Sequence, residues 1–123
     1  MTTIAIVGSR NYPDLAFVRA AVRALPDDTV VISGGARGVD RAAINEARKR
    51  GMRTQVFPAQ WAKYGLGAGL LRNREMAAAA DEVIAFWDGY SKGTDHMIEC
   101  MRKCGKPVFI YYPLADRKDT ALV

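Results

Sequence analysis

Histidine occurs once, at His96, and cysteine twice, at Cys100 and Cys104, in a chain of 123 residues. So few soft ligands and bases exclude a disulfide framework, leave a zinc site short of ligands and provide no nucleophile–histidine–acid triad. No metal and no cofactor is expected. The two cysteines stand four apart in a helical pattern, so they are expected to share one face as small core residues beside Met97 and Met101. Free thiols fit a reducing compartment.

Long apolar runs are also lacking, so no segment reaches the length of a membrane span. The opening Thr2-Thr3-Ile4-Ala5-Ile6-Val7 has neither the basic leader nor the cleavage site of a signal peptide. A cytoplasmic protein without a membrane partner is expected. Aromatic residues make up 9% of the chain, and no basic stripe with interleaved aromatics stands out, which ranks a nucleic-acid face behind a solvated surface.

Half of the residues are hydrophobic and a quarter charged, and the length suits one domain with its own core. Eighteen basic residues against 13 acidic ones leave a formal charge of +5. Part of that surplus closes helices, as Arg48-Lys49-Arg50 and Arg102-Lys103, where cations favour the negative end of the helix dipole.

Strand-like and helix-like segments alternate. Thr3–Val7, Thr29–Ile32, Thr54–Phe57, Glu82–Phe86 and Val108–Tyr112 read as strands, mostly continuous apolar runs of the kind buried on both faces of a parallel sheet. Helices are expected after Asp14, where Leu15, Val18, Val22 and Leu25 recur at helical spacing, and over Ala36–Lys49, Leu70–Ala80 and Thr94–Cys104. Gly51 stands where a helix C-cap is expected. The pattern predicts an α/β, Rossmann-like three-layer domain with a parallel sheet of about five strands in the order 3-2-1-4-5. The domain is expected over 1–112, followed by a C-terminal tail, 113–123, a candidate mobile segment.

Ligands of such sheets bind beyond the carboxyl ends of the strands, where the strand order reverses. Three loops leave those ends near the reversal. Gly8-Ser9-Arg10 is the first. Ser33-Gly34-Gly35-Ala36-Arg37-Gly38 is the second, with bare amides and a guanidinium that suit a phosphate, although glycines there also serve tight turns. Trp87 to Thr94 is the third, with Asp88 and Gly93 and with Thr94 as the expected N-cap. Arg72-Asn73-Arg74 crowd an expected first helical turn, where cations call for an anion: a ligand phosphate, or Glu75, Asp81 or Asp88. Trp61 and Tyr64 lie in a long glycine-rich loop, Pro58 to Gly69, where a ring could stack on a base or cover the core. Asp40 and Asp88 are the carboxylates nearest the strand ends; Asp40 is equally placed to pair with Arg37 or Arg41.

The run Ser33-Gly34-Gly35-Ala36-Arg37-Gly38-Val39-Asp40 resembles the signature of the DNA-processing protein DprA, and the chain from about Ile4 to Val108 resembles the SLOG superfamily, which joins DprA with the LOG phosphoribohydrolases. Within it, Trp61, Tyr64-Gly65, Ala68-Gly69, Arg72-Asn73, Met76, Asp81, Phe86 and Gly93-Thr94 match the YspA/YpsA-related branch. The resemblance implies a nucleotide-binding Rossmann-like domain, commonly a homodimer or larger assembly. Against the LOG motif Arg-Lys-x-x-Met stands Arg72-Asn73-Arg74-Glu75-Met76, so Arg72 matches the arginine implicated in catalysis. Against Gly-Thr-x-x-Glu stands Gly93-Thr94 followed by Met97, with Glu99 two residues later; a thioether cannot stabilise an oxocarbenium-like centre.

The expected function is therefore binding, by sensing or processing, of a nucleotide or nucleotide-derived phosphate ligand. Ligand-binding candidates are Gly8, Ser9, Arg10, Ser33, Gly34, Gly35, Arg37, Gly38, Asp40, Trp61, Arg72, Asn73, Asp88, Gly93 and Thr94; Arg72, Asp88 and Glu99 are the catalytic candidates. Phosphates are expected on the Gly34-Gly35 and Gly93-Thr94 turns, and the sugar on Asn73 and Asp88. The alternatives are a phosphoribohydrolase that cleaves a nucleoside monophosphate and a DprA-like single-stranded DNA binder.

Overall fold

The computed structural model describes residues 1–113. Apart from Pro113, the expected tail lies outside the described residues. Five strands alternate with helices: β1 (Thr3–Gly8), α1 (Leu15–Arg23), β2 (Val30–Ser33), α2 (Val39–Lys49), β3 (Arg53–Val56), a short α3 (Trp61–Tyr64) with a 3-10 turn at Gly65–Gly67, α4 (Ala68–Ala79), β4 (Glu82–Phe86), α5 (Lys92–Lys103) and β5 (Val108–Tyr111). Every pairing is parallel and the order is β3-β2-β1-β4-β5. This is the three-layer Rossmann-like arrangement that the sequence pattern predicts.

Central β1 explains the layering. Its side chains alternate between two cores: Ile4 and Ile6 join Val18 and Val22 of α1 and Val39, Ala43 and Ile44 of α2, while Ala5 and Val7 join Met76 and Ala77 of α4 and Met97, Ile98 and Met101 of α5. A strand covered on both faces must be apolar throughout, which is what Ile4–Val7 supplies. Asp14 caps α1 by accepting from the Phe17 amide at 3.0 Å. No helix among the described residues is long and apolar enough to cross a membrane.

Three helices begin elsewhere than the spacing predicts. α2 starts at Val39 rather than Ala36, because Gly38, at a φ of 81°, takes a backbone conformation outside the helix. α4 starts at Ala68, so Arg72-Asn73-Arg74 fall in its second turn and do not oppose its dipole as expected. α5 starts at Lys92 with Ser91 as N-cap, which makes Thr94 a buried residue inside the first turn and not the cap.

The cysteines also depart from expectation. Cys100 is half-buried and Cys104 is exposed. Met97 and Met101 reach the core and Cys100 packs against it from its margin, whereas Cys104 stays outside because α5 ends at Lys103 and the chain turns outward through Cys104 and Gly105.

Phe86, fully buried at the end of β4, holds one end of the sheet through edge contacts with Tyr12 and Phe17 and a stacked contact with Tyr111, each at 5.6 Å between centroids. Phe86→Ala should cost about 3–5 kcal/mol. Urea unfolding checks this, with a lower midpoint at an unchanged slope.

Candidate functional site

β1 and β4 are neighbours whose following segments leave to opposite sides, and at their carboxyl ends Gly8 lies beside Phe86. The spacing is tight: a Cβ on Gly8 would stand 2.5 Å from the Phe86 carbonyl and 2.6 Å from the Val39 side chain. Above this point opens a cavity of about 360 Å³. Val7, Met76 and Met97 give it an apolar floor; Arg10 and Asn11 enter from the β1 loop, Ala36 and Asp40 from the start of α2, Arg72 and Asn73 from α4, and Asp88 and Ser91–Thr94 from the β4–α5 connection.

Polar bonds fix these walls to each other. The Ser9 amide donates to the Phe86 carbonyl at 3.0 Å and the Ser9 hydroxyl accepts from the Asp88 amide at 3.1 Å, which ties the first loop to the third. Asp88 in turn accepts from the Tyr90 and Ser91 amides, both at 2.8 Å. Burial pushes its carboxyl up, but those amides and the Ser9 hydroxyl outweigh burial and hold it below the ordinary carboxylate range.

Opposite, Arg72 donates Nη1 to the carbonyls of Gly34 at 2.8 Å and Phe57 at 3.3 Å, and Nε to Asn73 Oδ1 at 3.0 Å. Buried Asn73 passes its amide to the Gly93 carbonyl and to His96 Nδ1, both at 3.1 Å. The acceptor role leaves Nδ1 without a proton. That agrees with the direction of the His96 pKa, which burial and then Arg74 and Lys103 lower, against Asp95.

Asp40 is 5% exposed and accepts from the Ala36 amide at 3.2 Å. Burial raises its pKa to about 6, against the Ala36 amide, the charge of Arg72 and the Gly34 amide. Arg72 feels the reverse: burial lowers its pKa, Asp40 raises it and Arg10 lowers it further. The two charged groups flank one point. A Cβ on Gly34 would collide with the Arg72 guanidinium and stand 3.0 Å from Asp40 Oδ2.

The cavity therefore gathers Gly8, Arg10, Asp40, Arg72, Asn73, Asp88, Gly93 and Thr94 from the sequence candidates. The others lie outside its lining. Ser33 is buried and donates its hydroxyl to the Ile6 carbonyl at 2.6 Å. Gly34 makes room for Arg72; Gly38 has positive φ and packs where a Cβ would meet the Arg10 carbonyl at 2.5 Å. Gly35 and Arg37 are exposed. Ser9 acts from behind, through Asp88. Trp61 and Tyr64 stand in an exposed turn with Leu66, which is 97% exposed. Glu99 is on the outer side of α5, paired with Arg102 at 3.0 Å, while Met97 is in the floor.

Asn11, Lys92, Met76 and Met97 are cavity residues that the sequence reading did not select, and Asp40 as the charge facing Arg72 was missed in favour of Glu75, Asp81 and Asp88. No local signal links positions so far apart in the chain. The knowledge that α4 crosses the end of β2 would be needed.

The strand order and the crevice at its reversal define a Rossmann-like α/β domain. A family description, YspA, cpYpsA-related SLOG family, matches residues 2–64, and the chain belongs to that family. The Gene 61 protein of Mycobacterium phage D29 is 38% identical over 88% of this chain and 94% of its own length. Among solved structures, DNA processing protein A (DprA) from Streptococcus pneumoniae superposes with a TM-score of 0.77 at 24% identity, over 89% of this chain and 50% of that one. DNA processing protein A from Helicobacter pylori, described for its single-stranded DNA binding mode, gives 0.68 at 23% identity over 89% and 64%. This chain thus spans half to two-thirds of those structures and shares their fold.

The Asp40 carboxyl keeps a proton in the folded chain that the unfolded chain releases at its ordinary 3.8. Its contribution to stability is accordingly greatest below about pH 4, falls as pH rises to about 6, and levels off above, a change of about 3 kcal/mol at most. Urea unfolding of the wild type minus Asp40→Asn, followed from pH 4 to 8, should slope downward over that window; a flat difference would refute the assignment.

Proposed function

We propose that the switch-point crevice binds the phosphate-bearing part of a nucleotide. The observation that carries this reading is the open first turn of α5. Its first helical bond runs from the Asp95 amide to the Ser91 carbonyl at 3.1 Å, and no side chain caps it, so the Lys92, Gly93 and Thr94 amides are left without helical partners at the cavity. Such a terminus attracts anions. Arg10 and Lys92 stand beside it, in no ion pair among the described residues.

In this arrangement the phosphate sits on Lys92–Thr94 and not on Gly34-Gly35, whose loop is engaged by Arg72. Asp88, ionised at neutral pH and on the wall, accepts from sugar hydroxyls. Val7, Met76 and Met97 receive an apolar or aromatic part of the ligand. Asn73 serves as a brace, since its carbonyl and amide are already bonded. The cavity volume is near the lower end of ordinary ligand pockets, which suits a mononucleotide unit.

A second reading takes that unit as part of single-stranded DNA. It is favoured by the DNA processing protein A neighbours, one of which is described as a single-stranded DNA binder, and by the net charge of +5.

Calorimetric titration with AMP, ADP-ribose and cyclic nucleotides, beside a short oligothymidylate, tests both. Binding below millimolar concentration is expected, weakened at least about tenfold by Arg10→Ala or Lys92→Ala, each of which removes a charged phosphate contact. Affinity for the oligothymidylate alone, with a steep fall in salt, selects the second reading. No binding of any of them at millimolar concentration overturns the proposal.

A further inference from the structure

The sheet ends at β3, whose outer edge pairs with no strand among the described residues. Phe57, just after β3, donates its amide to the Ser33 carbonyl at 2.8 Å. The two-residue period of a parallel ladder then turns the N–H and C=O groups of Thr54 and Val56 outward.

Beside this edge is a notch of about 230 Å³ lined by Gly35, Arg41, Ile44, Asn45, Arg48 and Val56. Its floor is aliphatic, Ile44 and Val56. Its rim is cationic: Arg41 and Arg48 are exposed and in no ion pair among the described residues. The acids of α2, Asp40 and Glu46, are both buried, Glu46 against Arg23 at 2.6 Å, so no carboxylate of this helix offsets the rim.

We propose that this notch docks an extended acidic segment of another protein, which adds to the sheet as a further strand beside β3. Each feature has a counterpart in such a partner. The outward amides and carbonyls of Thr54 and Val56 bond its main chain, the Ile44–Val56 floor takes an aliphatic side chain, and the guanidinium forks of Arg41 and Arg48 meet its carboxylates. A single-stranded nucleic acid would use only the cations, because no aromatic ring lines the notch for a base to stack on. The site is separate from the switch-point crevice and shares no lining residue with it.

The test is a titration of the isotope-labelled chain with a short synthetic peptide alternating Glu and Val, with its Lys-for-Glu counterpart, and with oligothymidylate. The acidic peptide should saturate, slow hydrogen exchange at the Thr54 and Val56 amides at least about tenfold, and lose at least about tenfold in affinity in the folded Arg41→Glu/Arg48→Glu variant. The Lys peptide should not bind. Failure of the acidic peptide to saturate by millimolar concentration overturns the proposal. So does protection that falls on other amides, or oligothymidylate binding that depends on Arg41 and Arg48 while the peptide does not bind.

Discussion

A half-buried guanidinium is costly unless its donors and its charge are both answered, and at Arg72 both are. The carbonyls of Gly34 and Phe57 take its hydrogens, and Asp40 behind Gly34 faces its charge. This contact joins the β2–α2 loop, the exit from β3 and the middle of α4. Through Asn73 it continues to the first turn of α5. A single polar chain thus crosses from one side of the sheet to the other at the edge where the strands end. It exists because position 34 carries no side chain. Elsewhere, apart from polar ties such as the Arg23–Glu46 pair between α1 and α2 and the Lys106 bond to α4, the helices are held by apolar packing, which sets their distance from the sheet but leaves rotation and sliding less defined. The directional bonds at Arg72 supply that definition where the crevice lies.

The sheet was legible in the sequence because burial on two faces leaves a plain trace, the unbroken apolar run Ile4–Val7 with helical periodicities between such runs. The helix starts were less so. Gly38 and Ser91 decide them through backbone conformation, and neighbouring residues such as Ala36 and Thr94 fit a helical start equally well in one dimension. The glycine motif shows the limit most clearly. In sequence, Gly34, Gly35 and Gly38 look alike as phosphate-loop residues; in the fold Gly34 admits a side chain from α4, Gly38 permits a close pass by the Arg10 backbone, and Gly35, at positive φ, leaves room for the Val56 side chain. The placing of Asp40 as the charge that acts on Arg72 was beyond reach, since nearer acids satisfied every local rule.

The surplus of positive charge has a similar history. Arg48 and Lys49 are well explained as residues that close a helix, and that explanation is complete on α2 alone. Tertiary structure adds what the helix cannot show. Packing turns Asp40 and Glu46 inward and leaves Arg41 and Arg48 on the flank beside an unpaired strand, so Arg48 both ends a helix and charges an edge. A charged flank also keeps such an edge from pairing with a second copy of itself.

The tie between Ser9 and Asp88, and the brace from Asn73 to Gly93, give the crevice walls that are joined before any ligand arrives. Hinge closure would have to break those bonds. For the ligand binding proposed above, selectivity would come from the shape already present and from the reach of two long side chains in the lining, Arg10 and Lys92. Capture then resembles a key meeting a fixed lock with two flexible latches, and the entropy of those two side chains, more than any domain motion, sets how much ordering accompanies it.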